Sequence, residues 1–111
     1  MDLKVQVKEV TQRYPKDKLI LQWASDRQIL QNSTSLAQLG KLEEEFHELC
    51  EGVDTKDKDE IKDAIGDMYV VMTLIANMSG LTIPECVDYA YDSIKDRKGY
   101  LNEQGVFVKE V

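Results

Sequence analysis

Hydrophobic residues recur at intervals of three and four along most of the chain, a spacing typical of amphipathic helices. The clearest example is the segment 36–52, which predicts a helix with one apolar seam. The seam positions are Leu39, Leu42, Phe46, Leu49 and Val53. The same spacing predicts helices over 17–31, over about 57–79, and from Thr82 to about Lys98. We therefore predict an all-α fold of about four helices in an antiparallel bundle.

Residues that favour helix ends and turns separate these segments. Ser35 is the predicted N-cap of the second helix, and Gly52 is its predicted end. Thr82, Pro84 and Glu85 have the spacing of a capping box that opens the last helix. The side chains of that helix predicted to face inward are Cys86, Val87, Ala90 and Ile94.

A chain of 111 residues suits a single domain. We divide it into an N-terminal arm (1–16), a helical core (17–98) and a C-terminal tail (99–111). The arm fits either a mobile segment or a short helix before Pro15. In the tail, turn residues between Tyr100-Leu101 and 106–108 allow a small hairpin.

Three acidic residues lie on the apolar side of the third predicted helix. At about 100° per residue, Glu60, Asp63 and Asp67 fall on one stripe. The same stripe continues through predicted core positions, namely Val70, Val71, Leu74 and Met78. A carboxylate that faces inward is costly unless it is paired, protonated or bound to a cation. We therefore predict that the carboxylates of this stripe belong to a functional site.

A short loop joins the second and third helices, so we expect them to be antiparallel neighbours. Glu45 and Glu48 would then face the acids of the third helix, although an exposed helix face is the alternative for both. Two carboxylates about 4 Å apart repel by about 4 kcal/mol at an effective dielectric near 20. Oxygen ligands favour Mg²⁺, with Mn²⁺ as the second choice, and Mg²⁺ commonly reaches its substrate through phosphate oxygens. The pattern favours phosphate-ester or phosphoanhydride chemistry.

The composition of the chain limits the classes of partner that it is expected to bind. The net charge of −7 leaves no basic patch for binding a nucleic acid polymer. The apolar run 68–78 is too short to cross a membrane, so we expect no membrane partner. Cys50 and Cys86 form no ligand-spaced set, and the charged N-terminal segment does not resemble a signal peptide. These features favour a cytoplasmic protein.

Two short motifs give the chain a family resemblance. The segment 41–49 (KLEEEFHEL) resembles the EExxE motif of MazG-like nucleoside triphosphate pyrophosphohydrolases, with Glu44, Glu45 and Glu48 at its acidic positions. Glu60 and Asp63 resemble the ExxD motif of that family, followed by Asp67. The resemblance covers roughly residues 17–98, and the tail is similar to those of small phage- and plasmid-type members.

The resemblance implies hydrolysis of a nucleoside or deoxynucleoside triphosphate at the α–β bond, which yields a monophosphate and pyrophosphate. It implies Mg²⁺ as the cofactor and a homodimer or homotetramer as the assembly. The metal ligands it implies are Glu45, Glu48, Glu60, Asp63 and Asp67. It also implies that Glu44 or Glu45 orients the attacking water.

Substrate contacts are expected from several residues outside the acidic motifs. Lys41, Lys95 and Arg97 are candidates for binding phosphate, and Trp23 for stacking on the base, although ordinary packing is the commoner role of a tryptophan. One position departs from the family pattern: Ala64 stands where the family glutamate of the third helix is expected.

Two other functions fit the sequence. Ala64 favours a non-catalytic helical binding or regulatory subunit with a degenerate acidic site. The acidic cage by itself also fits a different metal-dependent phosphohydrolase that releases orthophosphate, and the reaction products separate that enzyme from a pyrophosphohydrolase.

Overall fold

The computed structural model describes residues 16–110, and in this part of the chain five helices precede a two-stranded hairpin. The helices are α1 (Asp17–Asp26), α2 (Ile29–Asn32), α3 (Ser35–Thr55), α4 (Lys58–Met78) and α5 (Ile83–Ile94). The strands β1 (Gly99–Leu101) and β2 (Phe107–Lys109) are antiparallel, with Tyr100 opposite Val108. The all-α fold and the terminal hairpin are confirmed. The predicted arm lies outside the described residues, except for Lys16.

The first predicted helix is two helices. Gln28 adopts the left-handed conformation, with φ of 63°, and divides the segment 17–31 into α1 and α2. Such a conformation is unusual for a residue with a side chain, and glutamine carries no signal for it. With the four-residue α2 counted separately, the described residues contain five helices, in agreement with the predicted all-α fold of about four helices.

The α3–α4 hairpin is the centre of the structure, and its connection is very short. Lys56 adopts the left-handed conformation, with φ of 57°, and its backbone N–H bonds to the end of α3. Asp57 then caps α4, because its side chain accepts hydrogen bonds from the backbone N–H groups of Asp59 and Glu60. The two helices are consequently antiparallel neighbours, as predicted.

The ends of α3 differ from the prediction. Thr34, not Ser35, is the N-cap, and its hydroxyl accepts a hydrogen bond from Ala37 N at 3.1 Å. Gly52 does not end α3, which continues to Thr55. It lies buried against α4, where a Cβ would come within 3.1 Å of the side chain and backbone of Ile61. Gly52 therefore allows close approach of the two helices.

The seam of α3 runs along a different stripe from the one predicted. Glu45 and Gly52 are buried at the contact with α4, with Leu42 and Leu49 half-buried beside them. In contrast, the predicted seam residues Leu39, Phe46 and Val53 are 50–59% exposed. The prediction failed for these three because it followed hydrophobicity, whereas the packed stripe includes a carboxylate and a glycine.

The core side of α4 agrees better with its prediction. Val71 and Leu74 are buried, and Val70 and Met78 are half-buried. Of the three acids predicted to face inward from this helix, Asp67 and Glu60 are half-buried, while Asp63 is exposed. An inward position for all three acids was therefore wrong for Asp63.

Helix α5 begins as predicted but packs differently. Its capping box is complete, with Glu85 N donating to Thr82 Oγ1 at 3.3 Å and Thr82 N donating to Glu85 Oε1 at 2.7 Å. The helix ends at Ile94 instead of near Lys98. Its axis lies 99° from that of α4, so it leaves the hairpin. As a result Val87, Ala90 and Ile94 are exposed, which contradicts their predicted inward position.

A helix that spans a membrane needs about 20 predominantly apolar residues. No single helix within residues 16–110 is long and apolar enough to cross a bilayer. Helices α4 and α5 reach that length and composition only when taken together, across their 99° bend.

A side-chain hydrogen bond fixes α1 against α4. Tyr69 Oη on α4 donates to Asp17 Oδ1 at 2.5 Å, and this bond, followed by burial, raises the pKa of Tyr69 to about 12. We expect Tyr69→Phe to lower the free energy of unfolding by about 1 kcal/mol, because a hydrogen bond to a charged group is lost at a partly exposed site. Urea unfolding followed by circular dichroism measures this change.

The matched control is Tyr91→Phe, since Tyr91 is 60% exposed on α5. It should leave the urea midpoint unchanged. Equal destabilisation by both substitutions would contradict a specific role for the Tyr69–Asp17 bond.

Candidate metal centre and adjoining cleft

Three carboxylates converge where α3 faces α4. Glu45 and Glu48 lie one turn apart on α3, and Asp67 faces them from α4. One carboxylate oxygen of each lies within 4.8 Å of the other two. The sequence placed all three among the candidate ligands, and the tertiary structure brings them together.

Glu45 is the buried member of this acidic cluster, which we define as Glu45, Glu48 and Asp67. Glu45 is only 4% exposed. Oε1 lies 3.4 Å from Lys41 Nζ, but Oε2 has no hydrogen-bond donor among the described residues. A buried polar atom without a partner costs about 1–3 kcal/mol, and more when it is charged. The arrangement is thus unfavourable in the absence of a cation.

The protonation equilibria reflect this cost. Burial raises the pKa of Glu45, and the adjacent Glu48 carboxylate raises it further, while Lys41 opposes the shift. Burial also raises the pKa of Asp67, with added contributions from the negative charges of Asp63 and Glu45. Both shifts have the sign expected when desolvation and like charge disfavour ionisation.

Lys41 is the cation that the structure places beside the cluster. Its ammonium lies 3.4 Å from Glu45 and 3.9 Å from Glu44, and the charge of Glu44, then the hydrogen bond to Glu45, raises the pKa of Lys41. The Lys41 side chain is 52% exposed, so solvent screens part of this attraction. One half-exposed lysine does not balance the three carboxylates.

The donor set fits a hard divalent cation. It consists of carboxylate oxygens alone, which Mg²⁺ and Mn²⁺ accept and which zinc seldom takes without nitrogen or sulfur ligands. Glu45 contributes one oxygen to this donor set, and its Oε2 is buried without a hydrogen-bond partner among the described residues. Glu48 is exposed and Asp67 half-buried, so the cluster is open to solvent on one side and leaves room for water and substrate.

The other predicted acids lie around the cluster. Asp63 is one turn from Asp67 on α4 and is exposed. Glu44 is also exposed, beside Lys41. Glu60 lies near the start of α4, beside Gly52. Burial raises the pKa of Glu60, and the negative charges of Glu51 and Asp57 raise it further. Glu60 is therefore not part of the cluster.

Two predicted phosphate-binding residues are not brought to the cluster within this chain. Lys95 lies at the end of α5 and pairs with Asp92 at 3.4 Å, and Arg97 follows in the turn before β1. Neither lines the cleft beside the acids. Their predicted roles would require a contribution from another copy of the chain.

A cleft of about 400 Å³ adjoins the cluster, and Glu45, Asp67 and Lys41 form its polar end. Apolar side chains also line the cleft, namely Ile29 of α2 and three of α4, which are Val70, Val71 and Leu74. Trp23 of α1 also lines the cleft and is 42% exposed, and its stacking on a base stays a prediction. Pockets of this size accommodate small ligands.

Gln38, which no sequence motif indicates, also lines this cleft. It lies on α3, seven residues before Glu45, and is half-buried. Seven residues are close to two helical turns, so both side chains point to the same side of α3. That spacing was the available signal, but it becomes informative only once Glu45 is known to face inward.

Comparison with known proteins agrees with the acidic motifs. The model of the MazG nucleotide pyrophosphohydrolase domain matches residues 31–101, which is more than half of the chain. A protein of Haemophilus phage HP1 (strain HP1c1), described as "Uncharacterized 18.2 kDa protein in rep-hol intergenic region", is 50% identical over 62 residues. The matched region is 56% of this chain but only 38% of the phage protein. No solved structure matches the chain.

The raised pKa values predict how stability depends on pH in the absence of metal. Between the ordinary carboxylate pKa near 4 and the raised values, the folded protein binds more protons than the unfolded chain, so its stability falls as pH rises through that window. Asp67→Asn removes one charge of the cluster. It should raise the stability of the metal-free protein at pH 7 by about 1 kcal/mol and flatten this pH dependence.

Thermal unfolding in a chelator, measured from pH 4 to pH 8, checks this expectation. Glu43→Gln is the control, because Glu43 is an exposed acid of α3 outside the cluster and the substitution also removes one negative charge. Identical pH profiles for the two variants would show that general charge, and not the cluster, governs the pH dependence.

Proposed function

We propose, because this chain belongs to the MazG nucleotide pyrophosphohydrolase domain family, that it hydrolyses nucleoside or deoxynucleoside triphosphates at the α–β bond. The products are a nucleoside monophosphate and pyrophosphate. The observation that carries the proposal is the buried carboxylate of Glu45, which has an unpartnered oxygen beside Glu48 and Asp67 at the polar end of a cleft.

Mg²⁺ is the proposed cofactor, with Mn²⁺ able to replace it. Glu45, Glu48 and Asp67 are its proposed ligands. We propose Asp63 as a further one, because it is one turn from Asp67 on α4 and its negative charge raises the pKa of Asp67. Glu60 is not assigned to this ion, because it lies near the start of α4, where the charges that act on it are those of Glu51 on α3 and the N-cap Asp57. A bound Mg²⁺ supplies a Lewis acid that activates water and offsets charge on the phosphates.

The protein's own groups then have distinct roles. Glu45 faces the cluster and is assigned as a ligand, which leaves the exposed Glu44 to accept a proton from the water that attacks the α-phosphorus. Lys41 pairs with both Glu44 and Glu45. Its ammonium is positioned to bind a phosphate oxygen instead of the Glu44 carboxylate. The apolar walls of the cleft exclude bulk water from the nucleoside.

We also propose that the active form is a homodimer or homotetramer. On α3, Leu39, Phe46 and Val53 are spaced by seven residues and are each at least half exposed. On α4, Ile65 and Met72 have the same spacing and are 55% and 40% exposed. On each helix, the exposed apolar residues lie one position after the residues buried at the α3–α4 contact. Because the two helices are antiparallel, this shared offset places both exposed stripes on the same side of the hairpin.

A second copy of the chain is the proposed occupant of this exposed apolar face. A neighbouring copy would also be the source of Lys95 and Arg97 near the phosphates. The chain is proposed to act in the cytoplasm on free nucleotides, since its charge of −7 disfavours binding to a nucleic acid polymer.

A second candidate function is a binding or regulatory subunit without activity. Ala64 favours it, because this residue is 1% exposed on the contact side of α4, at a position where the family resemblance predicts a glutamate. The chain would then contain fewer carboxylates than a fully active site of the family. The reaction products decide between the two functions.

The activity is tested with a panel of nucleoside and deoxynucleoside triphosphates, Mg²⁺ and separate detection of pyrophosphate and orthophosphate. We expect monophosphate and pyrophosphate from the native chain. Glu44→Gln should lower kcat by about 10²- to 10⁴-fold, the usual contribution of a general base, yet keep the rise in Tm that Mg²⁺ produces. Glu45→Gln should lose both the activity and the rise in Tm.

Glu43→Gln, a neighbouring exposed acid, serves as the control and should retain both properties. Orthophosphate as the first product would indicate the other class of metal-dependent phosphohydrolase. If the native chain gives no product but its Tm still rises with Mg²⁺, the binding subunit becomes the better account.

The proposed assembly has its own test. Phe46→Asp places a charge in the apolar face and should shift the molar mass measured by light scattering toward that of one chain. Leu101→Asp is the control, because Leu101 is 68% exposed but lies on the hairpin. A native protein that elutes with the mass of one chain would contradict the proposed assembly.

A further inference from the structure

We infer that Gln38 reads the edge of the nucleobase while Trp23 stacks on its face, so that this residue pair sets the base preference. The inference rests on the proposed function and deepens it, because it concerns the end of the cleft away from the acids. It assigns a specificity-determining role to a residue that neither the acidic motifs nor the family match indicates.

The first observation is the position of Gln38 relative to the cluster. Gln38 and Glu45 share one side of α3 and both line the cleft. Seven residues of helix rise by about 10 Å, which is comparable to the reach from an α-phosphate across the ribose to the base. A nucleotide with its phosphates at Glu45 therefore extends its base toward Gln38.

The second observation is the state of the Gln38 amide. Its Nε2 donates to Ser33 Oγ at 3.0 Å, which holds the amide in one orientation. The amide oxygen accepts no hydrogen bond from the described residues, although the side chain is half-buried. A fixed amide with a free acceptor and a second N–H offers an acceptor–donor pair, which is the complement of a base edge.

The third observation is the surroundings of this amide. Ile29, Val71 and Leu74 supply apolar contacts in the same cleft, and the Trp23 indole lies across it. The Arg27 guanidinium lies over one face of the indole, 4.9 Å from its centroid. Because Trp23 is 42% exposed and lines the cleft, we assign base stacking to the remaining indole surface, and such stacking contributes to binding whatever the base. Discrimination between bases therefore depends on the hydrogen bonds of the Gln38 amide.

Trp23 also provides the measurement, because it is the one tryptophan of the chain. Its fluorescence should be quenched when a nucleoside monophosphate binds in the presence of Mg²⁺, and should be unaffected by pyrophosphate, which has no base. Titrating the native protein with the monophosphates of each base gives their relative dissociation constants. We expect these constants to differ between bases.

Gln38→Leu keeps the approximate side-chain size and removes the amide. It should weaken binding of the preferred monophosphate by about threefold to tenfold, the usual effect of one or two lost hydrogen bonds, and should bring the constants for different bases together. In hydrolysis assays it should change the ratio of kcat/KM between bases more than it changes kcat for any one of them.

Gln31→Leu is a closely matched control. Gln31 Nε2 also donates to a serine hydroxyl, that of Ser25, at 3.0 Å, but Gln31 is exposed and does not line the cleft. This substitution should leave the base ranking unchanged. An unchanged ranking in Gln38→Leu, or the absence of quenching by any monophosphate, would overturn the inference.

Failure of the inference can be distinguished from failure of the proposed function. Normal release of pyrophosphate together with a base ranking that ignores Gln38 overturns the inference alone. Absence of hydrolysis, combined with quenching by uncharged nucleosides that Gln38→Leu weakens, overturns the proposed activity and supports the base pocket.

Discussion

Burial of the Glu45 carboxylate between α3 and α4, against Glu48 and Asp67, is the interaction on which the rest of the site depends. It raises the pKa values of Glu45 and Asp67 and leaves one oxygen without a donor. The half-exposed Lys41 offsets only part of this charge. The hairpin therefore holds an arrangement that a hard cation would stabilise, since Coulomb attraction would replace the repulsion between the acids.

Two small residues make the buried carboxylate possible. Gly52 lets α4 approach α3 so closely that a Cβ at this position would crowd Ile61, and Ala64 is nearly inaccessible on α4. Close helix approach leaves little space for large apolar side chains between the helices. Phe46 and other apolar residues accordingly lie on the outer face, and the same packing that creates the site leaves a surface suited to a second copy.

The cleft beside the acidic cluster depends on contacts beyond the hairpin. The hydrogen bond from Tyr69 to Asp17 fixes α1, and α1 carries Trp23 to the cleft wall. The left-handed Gln28 then redirects the chain, so that α2 adds Ile29 to the same wall. The cleft thus combines an acidic end from the hairpin with an aromatic and apolar end from the first two helices.

The sequence by itself determined the helical fold, the α3–α4 hairpin and the acids that form the cluster, because helical periodicity, caps and motif spacing are local properties. It did not determine which stripe of α3 is buried, since hydrophobicity favoured Phe46 while the packed stripe contains Glu45 and Gly52. Nor did it reveal the break at Gln28 or the position of Gln38 in the cleft. These features follow from contacts between helices distant along the chain, and only the tertiary structure decided them.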